Sequence, residues 1–148
     1  MNSRTLTWIE EQKPDLVEWA ESYVDQSRLF AATDRTERRP HGRKDPHVKT
    51  SQLRNLLNAA QAGSPLAVLL NFLRYQIGRG RQGWAHQPSG KQLETLLRDQ
   101  LGPRCRDHAD TLDAPGDRHE LESRMAAQLL GFIVREYTYR CAVEGTRS

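Results

Sequence analysis

Between Leu66 and Ile77 the chain carries two apolar stripes on one helix-length stretch, and this constrains its fold more than any other feature. Leu66, Leu69, Leu70, Leu73 and Ile77 recur at helical spacing, while Val68, Phe72 and Tyr75 form a second stripe displaced around the wheel. A helix with two apolar faces needs cover on both sides, so the pattern predicts a helix at the centre of a helical bundle. Ser64 is placed to cap it and Pro65 to occupy its first position, where a fixed φ suits a helix start. A shorter helix precedes it. Ser51 is the expected N-cap, Leu53, Leu56, Leu57 and Ala60 make its apolar face, and Arg54, Asn58 and Gln61 its polar face. Gly63 supplies a left-handed stop. The stretch from Lys49 to Arg81 therefore reads as a helical hairpin.

Lys49, Arg54, Arg74, Arg79 and Arg81 are five cations in a stretch without Asp or Glu. Charge is divided along the chain in the same sense. Residues 1–33 hold 3 basic and 6 acidic side chains, residues 34–82 hold 10 and 3, and residues 83–148 hold 9 and 10. The basic third also includes residues 33–49, a stretch poor in apolar residues with two prolines and a glycine, which is expected to be a mobile loop. Its Arg43 and Lys44 suit contact with a polyanion, because a flexible basic arm gains phosphate contacts as it binds. Two readings fit these cations: a solvated rim, or a phosphate-facing surface.

Two segments of the hairpin resemble a known family. Lys49-Thr50-Ser51-Gln52-Leu53-Arg54 and, about twenty residues later, Leu73-Arg74-Tyr75-Gln76-Ile77-Gly78-Arg79 are similar in order and separation to the signature segments of the small helical subunit of the type III-A CRISPR-Cas (Csm) effector complex. The resemblance covers residues 49–81 closely and 88–145 loosely. It does not reach residues 1–48, and the last helix carries Arg135-Glu136-Tyr137-Thr138-Tyr139-Arg140 where family members tend to show an Ala-Tyr-His-like stretch. What the resemblance implies is a non-catalytic subunit in antiviral defence. Several copies stack beside a repeated backbone subunit and a large polymerase-type subunit, lining the groove for guide RNA and target RNA. Lys49, Arg54, Arg74, Arg79, Arg81, Arg43 and Lys44 are then the expected RNA contacts, without cofactor, metal or catalytic residue. The rival is a helix-turn-helix DNA-binding regulator using the same hairpin.

The remaining segments fit one helical domain. At 148 residues the chain can bury a core without disulfides, and Cys105 and Cys141 lack paired spacing, so buried free thiols are expected. No apolar run reaches the length of a membrane span and Met1-Asn2-Ser3-Arg4 lacks the apolar stretch of a signal peptide, so a cytoplasmic location is expected. Residues 1–32 read as an N-terminal helical segment interrupted near Pro14, with Leu16, Val17, Trp19, Ala20, Tyr23 and Val24 on its apolar side. Trp84 lies in a linker, suited to plugging the bundle end or to stacking on a base. A helix from Ser89 to Leu101 turns Leu93, Leu96, Leu97 and Leu101 inward and is expected to stop at Gly102-Pro103. A last helix over 118–144 starts from an Asp117/Glu120 capping box. His41, Asp45 and His47, and likewise Asp107, His108, Asp110 and Asp113, lack the convergent spacing of a metal site. The sum is an all-α, single-domain bundle of about five helices: 1–32, the basic loop 33–49, and the family-like bundle 50–148.

Overall fold

A computed structural model describes residues 3–27, 50–79, 84, 88–111 and 117–144. Every element in them is helical: α1 (Ser3–Gln26), α2 (Thr50–Gln61), α3 (Leu66–Gly78), α4 (Ser89–Thr95), a π-helical turn (Leu96–Leu101), α5 (Gly102–Thr111) and α6 (Arg118–Glu144). The segments from Ser89 to Thr111 join end to end, so the described residues form five rods, the all-α bundle expected from the sequence. Among the described residues no helix is long and apolar enough to cross a membrane. Residues 33–49, expected from the sequence to form a basic loop, lie outside the described residues.

The last helix, not α3, is the centre. The 27 residues of α6 extend about 40 Å, and α1 and α2 both pack along it. Met125, Ala126, Leu129, Leu130, Ile133 and Tyr137 are buried on it, together covering more than one face. Asp25 pairs with Arg140 where α1 and α6 approach their C-terminal ends, so these two helices run the same way. Near the other end Ser123 Oγ donates to the Ser64 carbonyl at 2.5 Å, which sets α2 antiparallel to α6. Of the two α3 stripes only one is covered. Leu66, Leu69 and Leu73 are buried, but Val68 is 53% and Tyr75 59% exposed, and Leu70 and Phe72 are half-buried. Helical periodicity marks both stripes as apolar and cannot say which one meets a neighbour.

The α2–α3 hairpin forms as its residues require, with small shifts. Gly63 adopts φ +95°, a conformation costly for a residue with Cβ. Helix α2 begins at Thr50, one residue before the expected cap. Pro65, with extended backbone, takes the N-cap place of α3, where its carbonyl accepts from Val68 and Leu69. Leu53, Leu56 and Ala60 are buried, and Arg54, Asn58 and Gln61 are exposed, as their spacing predicts.

Neither internal proline ends its rod. Helix α1 runs on through Pro14, whose ring is on the exposed side while Ile9, Leu16, Ala20 and Val24 hold the helix to the core. Pro103 follows the π-helical turn, where the Gly102 amide bonds to the Leu97 carbonyl, one residue further back than in an α-helix. That widened turn accommodates the ring clash that would otherwise break the helix. At the start of α6, Glu120 accepts from Arg124 at 3.2 Å, so its carboxylate serves an ion pair where a capping box was expected.

Trp84 plugs the bundle and is 1% exposed. An added Cβ on Gly90 would lie 2.8 Å from Ile77 Cγ1 and 3.1 Å from the Trp84 carbonyl, so the close approach of α4 to α3 depends on glycine there. Tyr23 Oη donates to the Ser89 carbonyl at 2.8 Å, joining α1 to α4; burial holds this phenol well above its ordinary pKa, so it remains a donor.

Candidate nucleic-acid interface

Four of the seven expected RNA-contacting residues, Arg43, Lys44, Lys49 and Arg81, lie outside the described residues. The other three are in the hairpin. Arg54 is in the first turns of α2, and Arg79 follows the last residue of α3. Both are exposed, and neither makes an ion pair among the described residues. Arg79 lies over the exposed Tyr75 ring, 5.6 Å from its centroid. Its side chain therefore rests on an outward aromatic rather than on the core.

Arg74 differs from both. Its Nε lies 2.8 Å from Glu94 of α4, a carboxylate only 4% exposed that also has Arg98 at 3.3 Å and Lys91 at 3.7 Å. A buried carboxylate needs such partners, because its desolvation is otherwise uncompensated. Arg74 thus joins α3 to α4 as well as carrying charge.

Beside Arg54 an open cleft of about 1170 Å³ runs between α1, α2 and α6. Arg135 of α6 lines it too, its guanidinium 5.7 Å from the Phe132 ring centroid. No motif or charge pattern singles out Arg135. An arginine three residues after an aromatic is common on any helix, and its place in the same cleft as Arg54 arises only from the packing of α2 on α6.

Groups that could suggest other chemistry have structural surroundings. His108 stacks on Trp8 with ring centroids 4.1 Å apart and 6° between planes. Burial, then the nearby Arg4 charge, hold its pKa below the usual histidine range, which favours the neutral ring. Cys105 and Cys141 are both buried thiols. Burial, reinforced by the Glu122 carboxylate, pushes the Cys105 thiol up to about 12, far from that of an activated nucleophile. Among the described residues no three His, Cys, Asp or Glu side chains converge as metal ligands.

No family model, curated protein or solved structure matches the chain.

Proposed function

We propose that the chain is a non-catalytic, RNA-contacting subunit of a type III-A CRISPR ribonucleoprotein in the cytoplasm, present in several copies that line the guide and target RNA groove. One observation carries this reading: the segment bearing the family-like motifs folds as two successive helices on which Arg54 and Arg79 are exposed and without ion-pair partners among the described residues. Cations held this way recognise backbone phosphates without reading bases, which suits a complex whose sequence specificity comes from guide pairing. A DNA-binding regulator would need α3 to offer a polar face to a groove. Its outward side instead carries Val68 and Tyr75, and its Arg74 engages Glu94. Purification of the full chain from its native host tests the proposal. Recovery with a guide RNA, a repeated backbone subunit and a large polymerase-type subunit is expected; recovery with duplex DNA or without RNA overturns it.

A further inference from the structure

We infer that the cleft between α1, α2 and α6 is a seat for single-stranded RNA, lined by Arg54 from α2 and by Gly131 and Arg135 from α6. This rests on the RNA-contacting reading above and extends it to residues that no motif includes. The charge within the cleft supports an anionic occupant. Its acids are already matched, Glu10 by Lys13 at 2.8 Å and Glu120 by Arg124 at 3.2 Å, while Arg54 and Arg135 make no ion pair among the described residues. The unmatched charge in the cleft is therefore positive. Packing over Phe132 restrains Arg135 before any ligand arrives, which lowers the ordering cost of a phosphate contact.

Size and shape point to a strand rather than a small molecule. The cleft, about 1170 Å³ and open, is larger than the roughly 300–1,000 Å³ of enclosed small-molecule sites. Along α6 it extends from His119 to Arg135, about 24 Å of helix at 1.5 Å per residue. Gly131 lies within this span, and a Cβ built on it meets nothing within 4 Å. A larger side chain there projects into the cleft without displacing core.

That last property supplies a test in which the fold is preserved. Binding of the full chain to a short fluorescent single-stranded oligouridylate is measured at low salt for the wild type, Arg54→Ala, Arg135→Ala and Gly131→Met, with a melting curve for each. Arg135→Ala is expected to weaken binding about three- to tenfold and to lower the salt slope by about 0.7, the value for one phosphate contact on a single strand. Gly131→Met is expected to weaken binding about tenfold or more by occupying the cleft, with melting unchanged or raised. If Arg54→Ala weakens binding while Arg135→Ala and Gly131→Met do not, the cleft inference fails and the RNA-contacting reading stands; the cleft is then open to a protein segment. If the wild type does not bind, or Arg54→Ala binds as the wild type does, both fail.

Discussion

Arg74 of α3 and Glu94 of α4 are joined at 2.8 Å although they stand twenty residues apart, and the carboxylate is buried while the guanidinium is 67% exposed. The pair divides the hairpin cations by role. Arg74→Ala is expected to destabilise the fold by about 1 kcal/mol, a modest figure because the arginine is screened by solvent and Arg98 and Lys91 remain beside Glu94. Urea unfolding of the variant measures this. Unchanged stability together with lost RNA binding would assign Arg74 to the RNA instead.

The two glycines at 90 and 131 should respond to alanine with opposite signs. Gly131 is within α6 with open space before it, so Gly131→Ala is expected to stabilise by about 0.5–1 kcal/mol through helix propensity. Gly90→Ala drives a methyl against Ile77 and the Trp84 carbonyl and is expected to cost about 1–3 kcal/mol. Equal effects in thermal unfolding would contradict the packing described for α4 on α3.

His108 gives stability a pH dependence with a definite sign. Its folded-state pKa is depressed below the ordinary 6.5, so below that pH the unfolded chain takes up a proton that the folded chain resists. Its contribution is therefore full above about pH 6.5 and is lost as pH falls towards the folded value. His108→Phe, which keeps a ring against Trp8, should flatten the fall in melting temperature between about pH 7 and about pH 5.5. A fall of the same size in the variant would exclude His108 as its source.

Cys105 should be chemically silent in the native state. With the thiol pushed up to about 12 and its sulfur buried, iodoacetamide at mildly alkaline pH is expected to modify it only after denaturation. Rapid native labelling at Cys105, read by mass spectrometry, would contradict this burial.

Local periodicity made the rods legible. Leu53, Leu56 and Ala60, or Leu93, Leu97 and Leu101, are buried where their spacing predicts, and Gly63 takes the left-handed stop. Long-range packing was not legible. The Val68 and Tyr75 stripe is as apolar as the Leu66 and Leu69 stripe, and only the positions of α4 and α6 decide which is covered. Prolines 14 and 103 were expected to break helices, but tertiary contacts around α1 and the π-helical turn before Pro103 outweigh their local cost. At the candidate interface, exposure of Arg54 follows from its place opposite Leu53 and Leu56. The pairing of Arg74 with Glu94, and the convergence of Arg135 on the same cleft as Arg54, depend on residues remote in sequence.

The central claim is that Arg54 serves RNA and the buried leucines serve the fold. Melting temperature and single-stranded RNA affinity, measured together for Arg54→Ala and Leu69→Ala, test it most directly. Leu69 is fully buried in α3, so its truncation should cost about 2–5 kcal/mol and reduce RNA binding only in proportion to unfolded protein. Leu70, half-buried, should cost less. Arg54→Ala should leave the melting temperature nearly unchanged and weaken RNA binding, with a shallower salt dependence. If the Arg54 and Leu69 variants fall on one line of affinity against stability, the Arg54 charge is structural and the RNA-contacting account of the hairpin is wrong.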